Sequence, residues 1–224
     1  MRKLELQASD GHVLSAWLAE PAGTPRGAVV VVQEIFGVNP HVRRVAEQYA
    51  AGGYLAIAPA MFDRYERDLS LGYDAEGLQR GVAHMMKTTS EATLADLGAA
   101  IDAVRSAGRV GMVGYCWGGR ATYLAACRTD IAAGVVYYGG RIPQLLPETP
   151  RCPVMFHFGE RDGHIPLDDV EQVRAAYPSG IYHLYPAGHG FNCEERADFD
   201  AGSARLAFDR TIEFFRKHVG QEAP

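Results

Sequence analysis

Eight apolar runs of strand length recur along the chain, and stretches with helical periodicity separate most of them. The runs are Leu4–Ala8, Val13–Ala19, Ala28–Val32, Tyr54–Ala58, Val110–Tyr115, Gly134–Tyr138, Pro153–Phe158 and Ile181–Tyr185. The first two alternate between polar and apolar residues, as an antiparallel edge hairpin does, whereas the later runs are almost continuously apolar. Continuous runs are typical of parallel strands that are buried on both faces. The pattern therefore predicts an α/β fold with a mostly parallel central sheet of about eight strands.

Helices are predicted between these strands. The candidates span residues 41–52, 91–106, 118–128, 168–177 and 201–218, with a weaker one near 76–86. Helices that alternate with parallel strands cover both faces of the sheet. The least regular stretch, Met61 to Thr89, is too short for a second domain. We therefore expect one domain over residues 1–224, without a large cap domain.

Composition limits the partners of the chain. Its 224 residues carry 22 basic and 27 acidic side chains, a net charge of −5. Binding to nucleic acid or to an anionic membrane needs a concentrated positive face, so we expect neither. No run approaches the roughly 18 apolar residues of a membrane span, and the first residues lack the apolar core of a secretory signal, which favours a cytoplasmic location. The four cysteines form no CxxC pair, so we expect free thiols and no metal site.

A glycine-rich turn follows the strand predicted at Val110–Tyr115. Its sequence, Gly114-Tyr115-Cys116-Trp117-Gly118-Gly119, is the nucleophile-elbow pattern of a strand-to-helix turn, with cysteine where serine is more common. The glycines permit close chain contacts around a strained nucleophile. The helix that follows favours a thiolate through its free N–H groups and its dipole. We interpret Cys116 as a nucleophile; the alternative is a buried structural cysteine.

Two further strands end next to residues that complete a catalytic triad. Asp162 follows the run that ends at Phe158, and His189 follows the run Ile181–Tyr185. The carboxyl ends of parallel strands form the ligand-binding edge of such sheets. The chain order nucleophile, acid, histidine is that of α/β-hydrolases. We therefore predict that His189 is the base for Cys116 and that Asp162 orients it.

Glu34 follows the apolar run Ala28–Val32. The equivalent strand end of a hydrolase fold supplies one oxyanion donor, so the backbone N–H groups of Ile35 and Trp117 are the predicted pair. Glu34 beside them is a candidate catalytic carboxylate, or a surface acid paired with an arginine. Three aromatic residues near strand ends are candidates for substrate binding, or for capping the core: Phe36, Tyr115 and Phe191.

Four motifs together resemble the dienelactone hydrolase (carboxymethylenebutenolidase) family of the α/β-hydrolase superfamily. They are Gln33-Glu34-Ile35-Phe36-Gly37, the Cys116 turn, Gly159-Glu160-Arg161-Asp162 and Gly188-His189-Gly190-Phe191, which span essentially the whole chain. The resemblance implies an α/β-hydrolase fold and a cysteine-dependent hydrolase of small-molecule esters or lactones that forms a thioester and needs no cofactor. It also implies that Glu34 contacts the resting thiol and helps to deprotonate it. We expect a monomer or a small homo-oligomer.

The resemblance leaves the substrate open. Family members that act on dienelactone hold its carboxylate with arginines, one of them a few residues after the histidine. Here acids follow His189, and Arg196 is the next cation. Arg196, Arg64, Arg67 and Arg80 are all candidates for substrate binding, and spacing does not choose between them. The low basic content weakens the expectation of an anionic substrate.

Two other functions compete with this one. A redox-sensing or ligand-binding protein on the same scaffold would use a reactive Cys116 without turnover. The presence of both Asp162 and His189 argues against a sensor, which needs neither. A metal hydrolase would use His157, Asp162 and His164. His157, however, lies within a predicted strand and is expected to point away from the turn.

Overall fold

The computed structural model describes residues 1–220, whose eight strands form one sheet. The strands are β1 (Arg2–Gln7), β2 (Val13–Ala19), β3 (Ala28–Val32), β4 (Leu55–Pro59), β5 (Val110–Tyr115), β6 (Ala133–Tyr137), β7 (Val154–Gly159) and β8 (Ile181–Tyr185). Their order across the sheet is β1-β2-β4-β3-β5-β6-β7-β8. β2 pairs antiparallel with β1 and with β4, and all other neighbours are parallel. The predicted fold class is therefore confirmed, including the edge hairpin.

Six α-helices accompany the sheet in this part of the chain. They are α1 (Pro40–Ala51), α2 (Ala75–Met85), α3 (Ser90–Val104), α4 (Trp117–Arg128), α5 (Leu167–Ala176) and α6 (Ala201–His218). α1 and α3 both contact β3 and β4. The crossover from β3 to β4 through α1 and the crossover from β4 to β5 through α3 run in opposite directions across the sheet. Because such crossovers are right-handed, the two helices lie on opposite faces. α6 shares the face of α1, because Tyr49 packs against Phe208 and Phe215. α4 contacts α3 on the other face.

The predicted elements agree with the observed ones to within two residues at each end. A 3₁₀ helix at Ile142–Leu145 is missed, because four residues are too few to show a helical period. No inserted domain covers the sheet within residues 1–220, and no helix there is long and apolar enough to cross a membrane. The predicted single domain of 1–224 includes residues 221–224, which lie outside the described residues, and it stays a prediction.

Four helices begin at a residue whose side chain caps them. Asn39, Asp74, Thr89 and Asp200 each accept a hydrogen bond from the backbone N–H three residues later, at the starts of α1, α2, α3 and α6. Such caps satisfy one of the free N–H groups of a first turn. α4 begins directly after Cys116, and no side chain caps it. The amide of its first residue is therefore left for another acceptor.

The start of α4 packs closely against β5 and the end of β3. A Cβ added to Gly114 would lie 1.9 Å from the carbonyl oxygen of Gly118, and one added to Gly118 would lie 2.4 Å from that of Gln33. Both distances are far below van der Waals contact, so these positions require glycine. The contact fixes Cys116, between the two glycines, at the carboxyl edge of the sheet.

We expect Gly118→Ala to destabilise the protein by about 3 kcal/mol in the free energy of unfolding, because the added methyl group must displace the backbone at the end of β3. Chemical denaturation measures the change. Gly98→Ala in α3 is the matched control, since a Cβ there meets no atom within 4 Å. That substitution should stabilise the helix by about 1 kcal/mol. Similar effects of the two substitutions would contradict the close contact at Gly118.

Candidate active site

Cys116 lies in the sharp turn between β5 and α4. Its backbone has a φ of +53° and a ψ of −116°, a conformation that is costly for a residue with a Cβ and that clusters at functional sites. Its N–H donates to the carbonyl of Tyr137 at 3.0 Å, and its carbonyl accepts from the N–H of Gly119 at 2.9 Å. These two bonds hold the strained residue, and the side chain remains partly exposed.

His189 and Asp162 approach the thiol from the ends of β8 and β7. Nε2 of His189 lies 3.2 Å from Sγ of Cys116, and Nδ1 lies 2.8 Å from Oδ2 of Asp162. Oδ1 of Asp162 accepts hydrogen bonds from the N–H groups of His164 at 2.8 Å and Ile165 at 3.1 Å. The turn thus holds one carboxylate oxygen while the other faces the ring. The structure brings the three residues together in one hydrogen-bonded chain.

The surroundings of His189 favour its charged form. Burial disfavours a charge on the ring, but the hydrogen bonds to Asp162 and Cys116 outweigh burial and raise the pKa of His189 to about 10. An imidazolium beside a cysteine sulfur stabilises the thiolate. At neutral pH, therefore, a charged ring faces the sulfur of Cys116.

Glu34 follows β3, and its side chain is only 1% exposed. Its Oε1 accepts a hydrogen bond from Nη1 of Arg196 at 3.2 Å, whereas its Oε2 has no hydrogen-bond partner within residues 1–220. A hydrogen bond between Glu34 and the thiol is not seen within residues 1–220, where Oε2 has no partner and the sulfur of Cys116 bonds to His189. A buried carboxylate is stabilised more by a guanidinium than by a thiol.

Arg196 is held at the site by packing as well as by charge. Its guanidinium carbon lies 5.9 Å from the ring centre of Phe36 and 6.0 Å from that of Tyr73. A Cβ on Gly190 would lie 2.6 Å from Nε of Arg196, and the φ of Gly190 is +80°. The positive φ therefore favours glycine after His189, and a larger residue would also shift the guanidinium of Arg196.

A cavity of about 260 Å³ opens over these groups, and both Cys116 and His189 line it. Ile35 and Trp117 line it too, and their amides donate to no other group within residues 1–220. Part of the wall is apolar and comes from α2: Leu78, Val82 and Met85. A larger cleft, of about 400 Å³, lies at the opposite edge of the sheet and has no histidine in its lining.

The aromatic candidates divide between the pocket and the core. Phe36 lines the pocket. Tyr115 does not, because it is 2% exposed and its hydroxyl lies 3.1 Å from that of Tyr49 in the core. Phe191 does not either, since it is fully buried and packs against Tyr138 and Tyr185. The prediction that Tyr115 and Phe191 bind substrate is therefore wrong, and the alternative of core capping holds.

The arginine candidates divide in the same way. Three of them pair with carboxylates away from the pocket: Arg64 with Asp96, Arg67 with Glu5 and Arg80 with Glu66. Arg196 is the candidate that lines the pocket. Two more lining arginines, Arg120 and Arg141, are missed by the sequence analysis. The sequence could have indicated Arg120 as a pocket residue, because it falls in the first turn of the helix that starts at the nucleophile.

The residues of the alternative metal site are not arranged as a ligand set. Both ring nitrogens of His157 bond to neighbours in the core, Nδ1 to the hydroxyl of Tyr185 at 2.8 Å and Nε2 to that of Thr211 at 3.0 Å. Asp162 faces His189 instead. Within residues 1–220, no three His, Cys, Asp or Glu side chains are grouped to hold a metal ion.

The family model described as the dienelactone hydrolase family matches residues 14–219. The chain belongs to the dienelactone hydrolase family. A Synechocystis protein assigned provisionally as a carboxymethylenebutenolidase is 34% identical, with 92% of each chain covered. The carboxymethylenebutenolidase of Pseudomonas putida is 32% identical, with 94% of each chain covered. The resemblance carried by the four motifs is confirmed, and the protein is a hydrolase.

Solved structures of the dienelactone hydrolase type share the fold. A crystal structure from Klebsiella pneumoniae, provisionally assigned as a dienelactone hydrolase, superposes with a TM-score of 0.85 at 29% identity, covering 97% of this chain and 99% of the other. A dienelactone hydrolase-like promiscuous phosphotriesterase from metagenomic libraries gives a TM-score of 0.82 at 20% identity, covering 98% and 99%. The second likeness concerns the fold alone.

We expect Asp162→Asn to lower the pKa of His189, because it removes a carboxylate that opposes the effect of burial. The weaker imidazolium should then slow alkylation of Cys116 by iodoacetamide at pH 6 by about tenfold, the effect of one pKa unit. Burial raises the pKa of the other thiols, Cys152 and Cys193 to about 11 and Cys127 to about 12, so they contribute little background. Asp168→Asn, an exposed change on α5, is the control. A wild-type alkylation profile in Asp162→Asn would show that the carboxylate does not support the imidazolium.

Proposed function

We propose that this protein hydrolyses small carboxylic esters or lactones through a triad of Cys116, His189 and Asp162 and a thioester intermediate. The observation that carries the proposal is the 3.2 Å contact between Nε2 of His189 and Sγ of Cys116, in a hydrogen-bonded chain that continues to Asp162. The name carboxymethylenebutenolidase on relatives that match nearly the whole chain supports the same class of substrate.

The first step forms the acyl-enzyme. The thiolate of Cys116 attacks the carbonyl carbon, a C–S bond forms, and the carbonyl electron pair moves onto oxygen. The amides of Trp117 and Ile35, which line the pocket without another acceptor, donate to that oxyanion. When the intermediate collapses, the C–O bond breaks, and the imidazolium of His189 gives its proton to the leaving oxygen. Cys116 then carries a thioester.

The second step consumes water. Neutral His189 takes a proton from a water molecule, whose oxygen attacks the thioester carbonyl. The new tetrahedral intermediate expels the thiolate and releases the carboxylic acid, and the thiolate–imidazolium pair is restored. Amides are poor substrates for this sequence, because an intermediate that contains a thiolate and an amine expels the thiolate first. Activated esters and enol-lactones, whose leaving groups need little protonation, suit the site best.

Glu34 has two parts in this proposal. Through Oε1 it neutralises Arg196, and through Oε2, which is buried and has no partner within residues 1–220, it accepts the proton of Cys116 whenever the thiol turns away from His189. A buried carboxylate oxygen without a donor is costly. Accepting that proton would satisfy the oxygen.

The intermediate provides the direct test of the nucleophile. With p-nitrophenyl acetate we expect a burst of p-nitrophenol in wild type and an acetyl group on Cys116 in intact-mass spectrometry after an acid quench. Cys116→Ala should lose both and at least about 1,000-fold in kcat. Cys152→Ala, which removes a thiol outside the pocket, is the control and should keep the burst. Retained turnover in Cys116→Ala would reject the nucleophile.

The role of Glu34 is tested by the pH dependence of kcat/KM. Glu34→Gln keeps the size of the side chain but cannot accept the proton of a thiol that faces away from His189. We therefore expect a loss of up to about tenfold in kcat/KM at neutral pH, and a smaller loss at higher pH, where hydroxide removes that proton. Glu47→Gln, an exposed change on α1, should have a wild-type profile. A parallel loss at every pH in Glu34→Gln would indicate a structural role only.

A further inference from the structure

Arg120 occupies an electrostatically unfavourable position beside Cys116. It lies in the first turn of α4, where the helix dipole favours anions, and no acidic residue is present in that turn. The side chain is half-buried and lines the pocket. Burial and the nearby Arg141 both lower the pKa of Arg120, because each disfavours the charged guanidinium.

The hydrogen bonds of Arg120 leave part of its guanidinium available. Nη1 donates to the carbonyl of Arg141 and to Oε1 of Gln144, the latter at 3.3 Å. Nε and Nη2 make no hydrogen bond within residues 1–220. The bonds through Nη1 tie Arg120 to the segment after β6, and the rest of the planar group remains free for a pocket ligand.

Arg141 presents a second cation from that segment. Its φ is +58°, the left-handed region that is unfavourable for a residue with a side chain and that recurs at ligand-binding sites. The side chain is exposed at the pocket and makes no hydrogen bond within residues 1–220. Two guanidinium groups therefore share one pocket wall, and no carboxylate in the described part of the chain neutralises either.

Two neighbouring arginines, by contrast, each pair with a carboxylate. Arg196 in the same pocket pairs with Glu34 at 3.2 Å, and Arg128 in the last turn of α4 pairs with Glu148 at 2.7 Å. The counterion is thus missing at the pocket end of α4, where the dipole makes a positive charge least favourable. An anionic group on the substrate would supply it, and guanidinium groups bind such oxyanions through paired N–H donors.

The strand order shows on which side of Cys116 this anion lies. β3 and β6 flank β5. Ile35 follows β3 and lies against α2, since a Cβ on Gly81 would be 2.4 Å from its carbonyl oxygen. Arg141 follows β6, and His189 comes from β8, beyond β6. The apolar wall and the two arginines therefore lie on opposite sides of the nucleophile, and His189 lies on the side of the arginines.

We infer that Arg120 and Arg141 form a subsite for a carboxylate on the leaving portion of the substrate, with an apolar acyl portion against α2. The inference rests on the proposed function. His189 protonates the leaving oxygen, so the leaving group lies on the side of Cys116 where His189 and the two arginines lie. The preferred substrates are esters of carboxylated phenols or alcohols with an uncharged acyl group.

Three esters separate this subsite from its alternatives. 4-Acetoxybenzoate carries the anion on the leaving phenol, its methyl ester carries none, and the hemisuccinate of methyl 4-hydroxybenzoate carries it on the acyl group. In Arg120→Gln and Arg141→Gln we expect the ratio of kcat/KM for 4-acetoxybenzoate over its methyl ester to fall at least about tenfold. The loss should appear mainly in KM, because the subsite binds ground state and transition state alike. Arg141→Lys should recover part of the ratio.

Arg205→Gln is the charge-matched control, since its side chain is 83% exposed on α6, and it should keep the wild-type ratio. An equal loss on 4-acetoxybenzoate and its methyl ester would show that the arginines only hold the loop after β6. A loss largest on the hemisuccinate would place the anion on the acyl side. Either result overturns the subsite, as does an unchanged ratio.

Binding without turnover separates this inference from the proposed function. We expect 4-hydroxybenzoate to bind Cys116→Ala in titration calorimetry and to bind at least about tenfold more weakly when Arg141→Gln is added. If wild type hydrolyses none of the three esters but this difference is found, the proposed function fails and the subsite stands. Equal binding to both variants would reject the subsite.

Discussion

The contact between α4 and the end of β3 is the constraint on which the site depends. Gly118 lies against the carbonyl oxygens of Val32 and Gln33, with no room for a Cβ. Cys116, in the turn that leads into this contact, has a positive φ, and Trp117 and Ile35 on either side of the contact line the same pocket. The backbone alone therefore positions the nucleophile and both proposed oxyanion donors. The strain is introduced when the chain folds, so the donors need no reorganisation during the reaction.

The buried charges of the site are matched in pairs. Asp162 faces His189, and Glu34 faces Arg196. An unpaired charge in such surroundings costs several kcal/mol, and the hydrogen bond to Asp162 helps to raise the pKa of His189 against the effect of burial. Arg120 at the start of α4 and Arg141 after β6 are not paired in this way within residues 1–220. The pocket therefore favours an anion at that wall without disturbing the charges at the nucleophile.

The sequence predicts the backbone of the site better than the directions of its side chains. Continuous apolar runs mark the strands, so Cys116 and His189 are correctly placed at strand ends. Tyr115 is wrongly predicted to bind substrate. Side chains alternate along a strand, so the residue before the nucleophile points the opposite way, into the core. Applied to the sequence, this alternation would have predicted its direction correctly. The burial of Phe191 could not be predicted in this way, because it follows Gly190, whose φ of +80° takes the chain out of any regular pattern.

Ion pairs lie beyond sequence patterns for a different reason, since they join residues far apart in the chain. Arg64 pairs with Asp96 across 32 positions, and Arg196 pairs with Glu34 across 162. The net charge of −5 suggests a pocket that repels anions, yet three arginines and no acidic residue line it in the described part of the chain. Charges at physiological ionic strength act over about 8 Å. The field at the pocket depends on the side chains that line it, so the sum over the whole chain carries no argument about the substrate.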